Sequence, residues 1–419
     1  MPGRGLAFIA TAVASPTQFS AIQPPASLLR TRIGVSLAFA INGLVYANWT
    51  SRLPRLQQLY DIDNGETGFV LMALALGALV AMPLAGFLIV RSGSRQLALI
   101  STLVFILSAP LMAYMPNYLA LLVVMPLIGV STGVMDVAVN AQSVEVEKLW
   151  GKPITSSFHA CFSGGMFVGA GAAAGFISLG FDLGPHLITI SAISTLLAVY
   201  SLRHFLYDRP GEVETGEGGG SKFSLAIILL GLASLCTMVG EGAMADWTPL
   251  YMTRVAGSPE ALAPLAQASF SGAMFLGRAF GDFGRSRLGS RAIVVGGSVL
   301  ALVGVSLAIL MPEPEVAIAG FGMVGLGLSN LVPVVFSQAS KVPGLRPGVG
   351  ISSVSTIGYA AFLFGPPVIG FVSDYQNARL PAGMALFPGV EGLRVGLGLV
   401  ALLMLVLVVL TVAFLRVDD

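Results

Sequence analysis

From Arg30 onward the chain alternates long apolar runs with short polar breaks. Twelve such runs, near 31–51, 66–90, 96–115, 118–144, 153–180, 185–206, 223–248, 261–283, 291–311, 315–340, 349–373 and 391–416, each predict one helix. A hydrocarbon layer of about 30 Å needs about 20 apolar residues per helix, so these runs match a membrane-crossing length. Residues 207–222, "YDRPGEVETGEGGGSK", have no period and are rich in Gly and Glu. They predict a flexible cytoplasmic linker between two six-helix halves, 30–206 and 223–419. Residues 1–29 contain "LAFIATAVA" after Arg4, which resembles a signal peptide but is short. They are expected to form a cytoplasmic tail.

Composition turns this pattern into a solvent. Hydrophobic residues make up 55% of the chain, charged residues only 10%, and the mean hydropathy is +0.85. A soluble domain carries about 25% charged residues, so most of this surface must face lipid. The fold class expected is an all-α integral membrane protein with twelve transmembrane helices. The net charge of +1 gives no argument for a nucleic-acid partner. An even number of spans returns both termini to one side. Placing them in the cytoplasm of a bacterial inner membrane puts most of the 22 Lys and Arg residues inside, leaving outside only Arg52, Arg55, Arg254, Arg379 and Arg394. Cys161 and Cys236 fall inside apolar runs and read as small buried residues, not a disulfide.

The halves repeat. "RSGSR" (91–95) matches "RLGSR" (287–291), "GVMD" (133–136) matches "GLSN" (327–330), and "HACF" (159–162) matches "YAAF" (359–362), at nearly constant offset. With this duplication the chain resembles the major facilitator superfamily over nearly all its length beyond the tail. The resemblance implies two six-helix bundles related by a pseudo-two-fold axis. The family's signature between helices 2 and 3 is a Gly, an Asp-Arg pair, then a Gly and a basic residue. Gly86, Arg91, Gly93 and Arg95 match as a gating motif, but Val90 stands where the Asp is usual, and Asp282 is expected to supply part of that charge. "EGAMADW" (241–247), "FHACFSGG" (158–165) and the acid in helix 4 resemble the fucose-permease-related branch. That branch implies sugars and sugar-like polyols, including the inositol-derived amine rhizopine.

Asp136 is an acid within an apolar run, and an ionised carboxylate at mid-span costs about 2.5–3.5 kcal/mol on insertion scales. It must therefore be paired or used. Asn140, four residues on, shares its face. If helices 4 and 5 form a hairpin turning near Trp150, Asp136 and His159 lie at one depth. They then either share a proton or simply bond the hairpin together. Glu241 incurs the same cost. Asp246 and Trp247 follow it, near an expected helix end, where an interfacial anchor is the alternative to a site. Asn42, Tyr46 and Trp49 share one face of helix 1 and are expected to line a cavity or to pack helices. By the repeat, Asn330 and Tyr359 are the neutral counterparts of Asp136 and His159.

These residues predict a secondary transporter, monomeric and without cofactor or metal, that moves a small polyhydroxylated solute by alternating access. Asp136, His159 and Glu241 are the expected proton-coupling groups. Asn42, Tyr46, Trp49, Asn140, Asp246, Trp247, Asn330 and Tyr359 are the expected substrate contacts. A multidrug or metabolite exporter of the same fold is the alternative. An enzyme is not expected, since neither H-E-x-x-H nor a Ser-His-Asp set is present. "GFGMVG" (320–325) lacks the preceding strand that a dinucleotide site needs. The spacings Gly165–Gly169 and Gly171–Gly175 predict close helix packing. His186 and His204 read as surface or interfacial residues, and Pro366 and Pro367 as a kink.

Overall fold

The structure, a computed structural model, describes residues 26–207, 224–377, 387 and 389–414. The expected tail and linker lie almost wholly outside the described residues. The regular elements described are all helical. The first half comprises α1 Ala26–Thr50, α2 Leu53–Tyr60, α3 Asn64–Ser92, α4 Ser94–Ser108, α5 Tyr118–Trp150, α6 Thr155–Ser178 and α7 Leu183–Arg203. The second comprises α8 Leu225–Arg254, α9 Pro264–Ala279, α10 Gly281–Leu288, α11 Ser290–Leu310, α12 Pro314–Leu328, α13 Leu331–Ala339, α14 Pro347–Asn377 and α15 Gly392–Ala413.

Eleven helices among the described residues are long and apolar enough to cross a membrane, counting α12 and α13 as one. The twelfth expected span, 261–283, is divided: α9 has 16 residues, and α10 resumes after Phe280. The break has a physical cause in the neighbouring helix, which is itself interrupted at Ser329 and Asn330. The Asn330 amide donates to the Gly277 carbonyl at 2.9 Å and to Ser329 Oγ at 3.0 Å. It thus stitches the two interruptions together. Helix α2 was not expected. Its sequence LPRLQQLY is short and partly polar, opens on Pro54 and buries Leu53 and Leu56.

The same packing order repeats in both halves. In the first, α1 packs on α6 and α7, α5 on α3 and α4, and α4 on α7. In the second, α8 packs on α14 and α15, α12 on α9 and α11, and α11 on α15. Gly93 and Gly289, at matching places in the two RxGSR turns, both have φ of 80°, a left-handed backbone that favours glycine. The spans are apolar all round, as membrane helices must be. On α5, Leu121, Met125 and Ile128 point inward, while Leu119, Val123 and Leu127 are among the most exposed side chains. Close packing follows small residues: a Cβ on Gly169 would approach the Leu44 carbonyl oxygen to 2.6 Å. Gly171 and Gly175 have open space instead, so only the first Gly pair serves helix contact.

The halves meet along two seams, α6 against α9 and α3 against α14, with α1 touching α8 between them. Below, the end of the bundle where α1 finishes is called the Thr50 end, and the opposite one the Trp150 end.

Candidate functional site between the halves

Asp136 lies near the middle of α5 and is half-buried. Its hydrogen-bond partner is Asn140, whose amide donates to the Asp136 carbonyl at 2.8 Å and to Oδ1 at 3.1 Å. The expected pairing with His159 is not formed. Helix α5 continues to Trp150 and α6 begins only at Thr155, so Asp136 is about four turns from its helix end and His159 about one turn from its own. The two helices also hardly touch, because α5 packs on α3 and α6 on α1. His159 is exposed, with its ring edge-on to Phe39 at 5.2 Å. The charge that reaches it belongs to Arg278. Tyr359 of α14 is near enough for the charge of Asp136 to act on it. Tyr359 is half-buried, its ring 6.0 Å from Phe362.

Glu241, near the middle of α8, forms an ion pair with Arg278 at 3.3 Å. Arg278 sits in the last turn of α9 and serves three partners. Its Nη2 donates to Glu241, its Nη1 to Ser163 Oγ of α6 at 2.8 Å, and its Nε to the Ser329 carbonyl at 3.4 Å. One guanidinium thus joins an acid, a carbonyl beside a helix break, and a hydroxyl of the other half. A fixed Arg fork suits this role better than a Lys point charge.

Of the helix 1 stripe, only Asn42 has a half-buried amide with no protein partner among the described residues. The Tyr46 hydroxyl donates to Asp246 Oδ1 at 2.7 Å across the halves. Asp246 is 4% exposed, so it is neither the open helix end nor the solvent-facing group that its position suggested. Trp49 and Trp247 are fully buried, and neither indole N–H has a partner. In this state both pack the interior, and Trp247 borders a small cavity with Phe362 and Pro366. Asn330 is occupied at the helix breaks. In the expected gating motif, Arg91 lies over the Phe87 ring at 4.2 Å and Arg95 over Tyr207 at 3.6 Å, and Gly86 has open space beside it. The side chain of Asp282 lies outside the described residues. His186 is a further correction. It is fully buried, bonded to Asn48 Oδ1 at 2.8 Å and stacked on Phe176, because α7 turns that face towards α1.

The described inter-half hydrogen bonds concentrate at the Thr50 end. Besides Tyr46 and Asp246, Gln267 of α9 accepts from Ser51 at 2.5 Å and donates to Thr50 at 2.7 Å. Asp374 of α14 accepts from the backbone of Asn64 and Gly65. Sequence reasoning missed Arg278, Ser163, Gln267 and Asp374. Arg278 falls among the cations expected on the inner side, although Glu241 needs a cation at its own depth, which is the available signal. A separate, almost wholly apolar cavity of about 750 Å³ lies between α1, α6, α7 and α9, with Leu37, Phe167, Phe275 and Leu276 on its walls.

The sequence profile of the Major Facilitator Superfamily matches residues 35–366. The chain is 34% identical over 347 residues to the membrane protein MosC of Rhizobium meliloti, covering 82% of this chain and 84% of that one. It is 31% identical over 364 residues to an uncharacterised MFS-type transporter of Yersinia pestis, covering 87% and 93%. Among solved structures, a mutant of the nucleoside transporter NupG superposes with a TM-score of 0.71 at 13% identity, covering 93% of this chain and 100% of that one. A bacterial homologue of the human lysosomal transporter Spinster, solved inward-facing and unoccupied, gives 0.68 at 13% identity, covering 92% and 96%. At such identities the structures speak for the fold, while the profile and the relatives speak for descent. The chain belongs to the Major Facilitator Superfamily of multi-pass membrane transporters.

Proposed function

We propose that this transporter carries a small polyhydroxylated solute, a sugar, cyclitol or aminocyclitol of the rhizopine type, by proton-coupled alternating access. Both termini are then cytoplasmic in a bacterial inner membrane, the Thr50 end faces outward, and the state described is closed to the outside. Asp136 is the proton carrier. The observation that carries this reading is that Asp136 stands at mid-span with a neutral amide, not a cation, as its partner. A carboxylate without a fixed counter-charge gains or loses a proton at least cost when its water access changes. A proton biases the two states only through such a difference in affinity. Asn140 holds it, and Asn42 and Tyr359 supply further hydrogen-bonding groups for the solute. The Glu241–Arg278 pair forms the second-half wall, and His159 stands on the path towards the Trp150 end.

In proteoliposomes, Asp136→Asn is expected to abolish accumulation driven by a proton gradient while leaving solute exchange at equal pH measurable. Unchanged accumulation refutes the role of Asp136. The solute itself is found by a thermal-shift screen over sugars, inositols and amino-inositols, since a ligand bound only by the native state raises Tm by mass action. Export of lipophilic solutes is the second reading, favoured by the apolar cavity between α1, α6, α7 and α9. Protection by lipophilic cations and not by polyols selects it.

A further inference from the structure

Every free amide at the start of α3 has a partner, two of them across the seam with α14. A helix leaves its first four N–H groups without intrahelical partners. Two are met by the helix itself in a reciprocal cap: Glu66 N donates to Asp63 Oδ1 at 2.8 Å, and Asp63 N donates to Glu66 Oε2 at 3.1 Å. The other two are met from the opposite half, Asn64 N donating to Asp374 Oδ1 at 3.3 Å and Gly65 N to Asp374 Oδ2. A carboxylate at this point also meets the positive end of the α3 dipole. The approach is built for closeness. A Cβ on Gly65 would stand 3.0 Å from Asp374 Oδ2, and one on Gly68 would stand 2.7 Å from the Pro366 carbonyl oxygen. Phe69 and Phe371 meet edge to face at 5.1 Å across the same seam.

Helices α3 and α14 run antiparallel, so the start of α3 meets the end of α14. At the opposite, Trp150 end, Val90 lies in the last turn of α3, as Asp374 lies in the last turn of α14, and it carries no charge. Gly86 and Gly348, flanking that end, have open space where a Cβ would stand.

We propose that Asp374 is a positioning residue that holds the two halves closed at the Thr50 end, and that the apolar Val90 leaves the opposite state without an equivalent lock. The resting population therefore favours the state described here. Asp63 opposes the lock when both acids are ionised, because its Oδ1 and Asp374 Oδ2 crowd the same glycine, 3.5 Å and 3.0 Å from where a Cβ on Gly65 would stand. The inference rests on the rocking motion in the proposed function but not on the identity of the solute or the coupling ion.

The test reads distances, not flux. Spin labels on cysteines at Gln58 and Arg254, both exposed at the Thr50 end, are introduced into the full chain with Cys161 and Cys236 replaced by Ala. Electron-spin distance distributions in lipid nanodiscs give the closed and open populations. Asp374→Asn is expected to raise the open-to-closed ratio about three- to tenfold, and Val90→Asp to raise it further by a similar factor. Asp63→Ser keeps a capping oxygen and removes the opposing charge, so it is expected to lower the ratio, a direction that simple loss of stability does not produce. An unchanged distribution in Asp374→Asn, or a rise in Asp63→Ser, overturns the proposal. Should Asp374→Asn fail to fold, the Asp63→Ser and Val90→Asp shifts still decide it. Absence of flux for every solute would sink the transport reading and leave these distances standing.

Discussion

Each half of the transporter carries one acid near the middle of a long helix, and the two acids meet the same desolvation cost in different ways. Asp136 on α5 is held by one neutral amide one turn away. Glu241 on α8 is held by a guanidinium that is itself tied to a carbonyl and to the other half. The difference is one of freedom. A carboxylate paired with Arg keeps its charge because the pair attracts in a low dielectric, while one held by Asn loses little by taking up a proton. Of these two acids, Asp136 is the one suited to switching and Glu241 the one fixed in an ion pair, while Asp246, also in the second half, is tied to the neutral Tyr46 hydroxyl of the first. Of the three acids and bases first expected to couple protons, Glu241 is the one whose pairing argues most against a mobile proton.

The comparison is broken most violently by removing the cation. Arg278→Gln removes the charge that Glu241 pairs with and leaves only a shorter, neutral amide in its place. Breaking a buried pair by deleting one partner costs about 3–5 kcal/mol, and the low end applies here because both side chains retain some solvent contact. A large fall in Tm and in yield is expected, with substantial recovery in the double variant Arg278→Gln, Glu241→Gln. If the double variant is no better than the single one, the ion pair is not what Arg278 stabilises.

Much of the fold was legible before any coordinates, and the reason is simple: a bilayer fixes helix length, so run lengths alone gave the spans, and paired RxGSR turns gave the duplication. The helix breaks were not legible, because the chain through "LGRAFGDFG" stays helix-compatible and the interruption depends on Asn330 arriving from a neighbouring helix. The candidate site was legible in its acids and not in their partners. Asp136 stands out by composition, but whether it meets His159 or Tyr359 depends on which helices become neighbours, and adjacency in sequence wrongly favoured α6. Arg278 carries the same letter as the loop arginines around it. Only its rotation on α9 separates it from them.

A gentler change sharpens the contrast from the other side. Asn140→Ala removes the amide from Asp136 Oδ1. A hydrogen bond to a charged group is worth about 1.5–3 kcal/mol when it is buried, and less here because Asp136 is only half-buried. A Tm loss clearly smaller than that of Arg278→Gln is expected. Raising the pH should widen the gap from wild type, since the ionised carboxylate is the form that needs the donor. A gap that stays flat with pH means that Asp136 keeps one protonation state throughout, and its role as the switching acid then fails.

The smallest effect belongs to an acid outside the spans, which serves as the control for both. Asp182 precedes α7 at the Thr50 end, where Arg55 donates to it through Nε at 2.9 Å and Nη2 at 3.2 Å. The Arg55 hydrogen bonds, and then the Leu183 amide, lower its pKa to about 2. A depressed carboxylate pKa stabilises the folded state above the unfolded value of about 3.9, and that contribution is lost as the pH falls through about 2. Asp182→Asn should therefore give a stability loss that is constant between about pH 7 and pH 5, unlike the change at Asn140. With Asp182 60% and Arg55 34% exposed, solvent screening holds that loss to below about 1 kcal/mol. At about 1 M salt, where the screening length is about 3 Å, most of it should vanish, whereas the Glu241–Arg278 pair, shielded from ions between the halves, should keep its contribution. Equal salt sensitivity at the two pairs would mean that water and ions reach Glu241 freely, and the proposed division between a switching Asp136 and a fixed Glu241 would lose its physical basis.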